Sequence, residues 1–203
     1  MTIQVWFDFA STYSYPAVMR IEQASKEHGL AIDWRPFLLG PIFSDQGWAD
    51  SPFNIYPAKG RYMWRDLERE CVRLGLALKR PSQFPRNGVA AARVACAGLG
   101  EPWLPDFVRA VFHANFVDDR EISDVTVLRD ILDDLGQPGT AVVERSVLPE
   151  TRARLRAHTE DAKVRGIFGA PTFVVDGEMF WGSDRLDRAV EWAATACATA
   201  AER

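Results

Sequence analysis

Residues 7–18 read FDFASTYSYPAV, and the hydroxyls of Ser11 and Ser14 stand three residues apart where a strand pattern gives way to a helical one. Two cysteines at this spacing would form a dithiol motif, with the first thiolate held by the positive end of the helix. Serines cannot form a mixed disulfide, which disfavours dithiol exchange. Hydrogen bonding remains: Ser11 either caps the helix, or offers its hydroxyl, with nearby backbone N–H groups, to an anion brought to the helix end.

A second candidate stretch, residues 166–186, reads GIFGAPTFVVDGEMFWGSDRL. Pro171 follows Ala170 just before a β-prone run, a place open to an ordinary trans proline that starts an edge strand. Ser183 and Asp184 begin a helical run, where they either cap it or bind a ligand, a serine donor suiting a carboxylate and an aspartate an ammonium group. Arg86-Asn87 reads as a solvated loop pair. Trp34, Phe43, Trp64 and Trp181 divide between core and a pocket for an aromatic ligand, to be closed by the middle of the chain.

The elements that must position these groups follow from periodicity. Ile3, Val5, Phe7 and Phe9 alternate onto one face of a strand, YSYPAVMRIEQASKEHGL has helical spacing closed by Gly29, and LAIDWRPF reads as a second strand. This strand, helix, strand opening implies parallel pairing by a right-handed crossover. Between residues 40 and 165 the pattern is helix and loop only. Met63, Leu67, Cys71 and Leu74 share one face, as do Leu104, Phe107, Val108, Val111 and Phe112. SDVTVLRDILDDLG carries an N-cap and a terminal glycine, and Pro149 suits a first helical turn. After residue 165, TFVVDGEMFW reads as a hairpin turning at Asp176-Gly177. A closing helix follows, with Ser183 or Asp184 at its N-cap and a stripe of Leu186, Val190, Ala193 and Cys197. The fold expected is α/β, a thioredoxin-like βαβ…ββα frame interrupted by an all-helical insertion. Its frame occupies residues 1–39 and 165–203, and the insertion residues 40–164.

Bulk properties narrow the function. A chain of 203 residues with 47% hydrophobic and 26% charged composition can bury a full core. A net charge of -4 without a basic cluster gives no support to nucleic-acid binding. No apolar run approaches the ~20 residues of a membrane span, and the N-terminus has no signal-peptide pattern, so a soluble cytoplasmic protein is expected. Cys71, Cys96 and Cys197 lie far apart in helical patterns and read as inert thiols. With only His28, His113 and His158 beside them, no metal site is expected.

With FDFASTYSY near one end, GIFGAPTFVVDGEMFWGSDRL near the other and helices between, the chain resembles the DsbA-like family, and within it the 2-hydroxychromene-2-carboxylate isomerases and the related kappa-class glutathione transferases. The ends are specific, whereas NIYPAKGRYMWRDL and FPRNGVAAARVA match more loosely. That family usually has proline after the serine, where this chain has Thr12. The resemblance implies glutathione as cofactor, its sulfur beside Ser11. It implies a cis Pro171, with Ala170 offering its backbone to the cysteinyl part, and Ser183 and Asp184 at the γ-glutamyl end. Asn54 and Lys59 would stand around glutathione and the substrate acid. A small aromatic acid is the implied partner and a homodimer the implied assembly. The implied reaction is glutathione-dependent isomerisation of a bicyclic hemiketal acid and its ring-opened benzylidenepyruvate. Glutathione conjugation, or binding on the same fold without turnover, are the alternatives.

Overall fold

The computed structural model describes residues 1–201, with side chains through Thr195. Strand β1 (Thr2–Phe7), helix α1 (Ser14–Glu27) and strand β2 (Ala31–Pro36) form the opening unit, with β1 and β2 parallel and Val5 opposite Trp34. Eight helices follow: α2 (Leu39–Asp45), α3 (Pro52–Ile55), α4 (Pro57–Leu74), α5 (Val89–Ala97), α6 (Leu104–Phe116), α7 (Val125–Asp134), α8 (Gly139–Ser146) and α9 (Pro149–Val164). Strands β3 (Thr172–Val175) and β4 (Glu178–Trp181), a 3-10 turn at Ser183–Arg185 and α10 (Leu186–Ala201) complete the chain. The sheet order is β2-β1-β3-β4, and both β1 with β3 and β3 with β4 run antiparallel. This is the expected α/β thioredoxin-like architecture.

Local chemistry accounts for several boundaries. Asp176 and Gly177 take φ values of 49° and 84°, the two positive angles of a tight hairpin turn. Asp124 accepts the Thr126 N–H at the start of α7, and Pro149 occupies the first turn of α9. The closing helix differs from expectation, since neither Ser183 nor Asp184 caps it. Gly182, at φ 114°, leads into the 3-10 turn without a side-chain cap, and α10 begins at Leu186. Strand β1 also stops short of Phe9, because the Asp8 carboxylate takes backbone N–H groups that a longer ladder would need.

Alternation along β1 builds a core on each face of the sheet. Ile3, Val5 and Phe7 are fully buried in the larger core, shared with α1, α10 and the helices between β2 and β3. Trp6 points the other way and packs with Phe37, Ile42 and Ala162. A run of rings supports the strand end: Phe7 and Phe9 lie 5.3 Å apart, Phe9 and Phe112 5.1 Å, and Tyr15 stacks on Phe116 at 5.6 Å. The Tyr15 hydroxyl donates to the Ala77 carbonyl at 2.7 Å. The turn between β1 and α1 thus rests on α6. Cys71 and Cys96 are buried free thiols, pushed up to about 11 and about 12 by burial, which makes them poor nucleophiles. The Cys197 side chain lies outside the described residues.

His158 is buried where β2 hands over to α2, its Nδ1–H donating to the Pro36 carbonyl at 3.0 Å. Burial holds its pKa below the ordinary histidine value. An unfolded chain therefore binds a proton there that the folded chain refuses, and stability present above about pH 6.5 is lost as pH falls through the folded pKa. The loss is at most ~1.4 kcal/mol per pH unit. Urea midpoints of the parent should fall across this window more steeply than those of His158→Gln; equal slopes would contradict the assignment.

Candidate active site

Asp8 anchors the turn that carries Ser11. Its Oδ1 accepts the Ala10 N–H and its Oδ2 the Leu39 N–H, both at 2.8 Å, and its backbone carbonyl accepts the Ser11 N–H at 2.9 Å. Only 5% exposed, the carboxyl is pushed above its ordinary pKa by burial, against the opposing pull of the two N–H donors. The Ser11 hydroxyl donates to the Ala170 carbonyl at 2.8 Å, joining residues 159 apart in sequence. Its oxygen also accepts the Ser14 N–H at 3.3 Å, at the first residue of α1. Ser11 thus serves the helix end as acceptor and the second stretch as donor. Ser14, the other serine of the pair, is fully buried with no partner for its hydroxyl among the described residues.

The peptide bond between Ala170 and Pro171 is cis, and the Pro171 carbonyl accepts the Gly182 N–H at 3.0 Å. That bond sets Ser183 and Asp184 beside Ala170. Ser183 is 4% exposed and its hydroxyl has no hydrogen-bond partner among the described residues, whereas the Asp184 side chain is 71% exposed at the rim. A buried hydroxyl without a partner is uncommon, and here it lines an open cavity.

The cavity measures about 970 Å³, the upper end of the range for small-molecule sites. Ser11, Lys59, Ala170, Ser183 and Asp184 line it, together with Asp8, Thr12 and Tyr13. Pro171 stands behind Ala170, outside the lining. Asn54 is also outside, its amide donating to Asp50 at 3.0 Å and to the Phe84 carbonyl at 3.2 Å. Lys59 is the one lining cation without a carboxylate partner among the described residues. Tyr13 ties the Ser11 turn to α4 by donating to Asp66 at 2.9 Å, and burial and this bond keep its phenol neutral.

Arg86 departs from the solvated reading. Its side chain is 2% exposed; Nη1 donates to Asn115 Oδ1 at 3.0 Å, and Nη2 to Ser82 Oγ at 3.2 Å and to Asp119. Asn115 in turn donates to the Phe9 carbonyl at 3.0 Å, so this network braces the cavity wall against the Ser11 turn. Asn87 stays exposed, accepting the Val89 N–H. Among the four rings considered, Phe43 and Trp181 line the cavity. Trp34 and Trp64 are buried in the core.

Comparison with known proteins follows the same outline. The model of the DSBA-like thioredoxin domain matches residues 2–192. The chain belongs to that family. A 2-hydroxychromene-2-carboxylate isomerase from Sphingobium xenophagum is 31% identical over 190 residues, 92% of this chain and 94% of the relative. A solved 2-hydroxychromene-2-carboxylate isomerase superposes with a TM-score of 0.89 at 24% identity, covering 100% of this chain and 98% of that one. The cytosolic disulfide reductase DsbM from Pseudomonas aeruginosa, solved with GSH, has a TM-score of 0.69 at 14% identity, with 98% of each chain covered. At these identities the two solved structures speak for the fold.

Three features of the site are not legible in this sequence. Asp8 carried a weak signal, a lone carboxylate between two phenylalanines. The cis bond between Phe84 and Pro85 carried none beyond the proline. Phe168, whose ring meets Trp181 at 4.7 Å on the cavity rim, is separated from it in sequence by the strands of the hairpin. Gly169 admits this pair, because a Cβ there would collide with the Trp181 indole.

Proposed function

We propose that the protein is a glutathione-dependent isomerase that interconverts 2-hydroxychromene-2-carboxylate and trans-o-hydroxybenzylidenepyruvate, or a similar aromatic acid. The observation that carries this reading is the bond between the Ser11 hydroxyl and the Ala170 carbonyl, on a cavity whose lining contains no cysteine among the described residues. A site of hydroxyl and backbone groups at a helix end suits a thiolate supplied from outside. The unpartnered hydroxyl of Ser183 fits a carboxylate of the γ-glutamyl end. When bound, glutathione supplies a sulfur nucleophile that adds reversibly to the conjugated double bond, permits rotation and leaves unchanged.

The chain's own groups have separate tasks in this reading. Ser11 donates to the sulfur, Ala170 pairs with the cysteinyl backbone, and Asp184 takes the γ-glutamyl ammonium. Lys59 is free to pair with the substrate carboxylate, with Phe43 and Trp181 offering apolar surface. A cytoplasmic protein and a homodimer belong to the same proposal. The test is product analysis with each candidate aromatic acid: isomerisation leaves the glutathione concentration unchanged, whereas its consumption would replace this reading by a kappa-like transferase. No turnover with any electrophile would replace it by a binding role.

Asp184→Ala should raise KM for glutathione about 1.4- to fivefold and leave kcat nearly unchanged. The contact is solvent-exposed, worth ~0.2–1 kcal/mol, and remote from the reacting bond. Steady-state kinetics with glutathione varied checks it, and an unchanged KM would remove Asp184 from the site.

A further inference from the structure

The Ser11 hydroxyl has one proton, and that proton is engaged. It lies on the Ala170 carbonyl at 2.8 Å, while the Ser14 N–H holds the oxygen from the helix side. Ala170 is 8% exposed, and Ser11 is the partner of its carbonyl among the described residues. A hydroxyl that donates to a carbonyl cannot at the same time donate to a sulfur. Rotation about the Cβ–Oγ bond would redirect the proton without moving the oxygen, but would strip a buried carbonyl of its donor.

We infer that the ligand's own amide releases Ser11: an N–H beside the thiol-bearing carbon takes over the Ala170 carbonyl, and the freed hydroxyl turns to the sulfur. This rests on the reading that glutathione binds along Ala170 and adds to it a rule of specificity. The site selects peptide-like thiols, because a thiol without that N–H obtains the Ser11 donor only by orphaning Ala170. The two hydrogen bonds exchange partners, and no covalent bond is made or broken.

The test compares glutathione with its ester analogue, in which the cysteinyl N–H is replaced by oxygen. The readout is the change in thiol pKa from free to bound, followed by ultraviolet thiolate absorbance and by the pH dependence of calorimetric affinity, in the parent and in Ser11→Ala. In the parent, the pKa of glutathione should fall further on binding than that of the analogue by about one unit, ~tenfold more thiolate at a given pH below both values. In Ser11→Ala the two ligands should show the same change, since neither has the hydroxyl to recruit. Equal changes in the parent would overturn the exchange while leaving the proposed function intact. An analogue with no measurable binding would overturn it too, because the exchange removes one hydrogen bond and not the site. Failure of glutathione itself to bind the parent would overturn the proposed function and this inference together.

Discussion

Ser11→Ala should slow the glutathione-dependent reaction by about ten- to a hundredfold at neutral pH. A hydrogen bond to an ionised acceptor is worth ~1.5–3 kcal/mol, and its loss falls on the charged form of the sulfur. The pKa of the bound thiol therefore rises, less thiolate remains at pH 7, and raising the pH recovers part of the rate. Activity should not vanish, because the N–H groups at the start of α1 remain, and the Ser14 N–H loses its Ser11 acceptor and can turn to the sulfur. The measurement is the pH–rate profile at saturating glutathione. Acidic limbs that coincide in parent and variant would show that Ser11 does not tune the thiol.

Arg86→Met should cost on the order of 3 kcal/mol of stability, the low end of the range for breaking a buried ion pair. The guanidinium is 2% exposed, and its loss leaves the Asn115 side-chain oxygen without its donor and Asp119 with the Ser82 N–H at 2.8 Å, the Ser82 hydroxyl at 3.0 Å and Lys79 at 3.6 Å. Asp119 stands 18% exposed, so water meets part of the loss. Urea unfolding gives the single-variant cost. The double variant Arg86→Met/Asp119→Asn should lose less than the sum of the two single changes. A cost below about 1 kcal/mol would mean that the network is solvated after all. Because Asn115 also holds the Phe9 carbonyl, the reaction rate should fall with the wall's rigidity even where the variant stays folded.

Asp8 shows why local pattern stops short of a site. Its neighbours in FDF mark it as a polar interruption of a buried strand, yet nothing adjacent says that one oxygen will meet Ala10 and the other Leu39, thirty-one residues on. Arg86 is similar: a loop Arg-Asn is solvated by default, and only the arrival of α6 with Asn115 and of Asp119 beyond it turns the side chain inward. Trp34 and Trp64 were as eligible for the cavity as Phe43 and Trp181, and packing alone sorted them.

What the amino-acid order determined by itself was whatever depends on neighbours within a turn or two. The alternation of Ile3, Val5 and Phe7 decides which face of β1 is buried, Asp176-Gly177 supplies the positive φ angles of the hairpin, and Asp124 and Pro149 start their helices where short-range hydrogen bonding and fixed φ favour it. Tertiary structure decided what those residues face. Ser11 meets Ala170 across 159 positions because β1 pairs with β3 in the centre of the sheet, while the pairing of β3 with β4 sets Gly182 against Pro171, and the cavity opens beside them. Such contacts join groups whose local preferences are already met by turns and caps. Their formation is governed by burial summed over the whole chain, a quantity to which no single stretch of sequence bears witness.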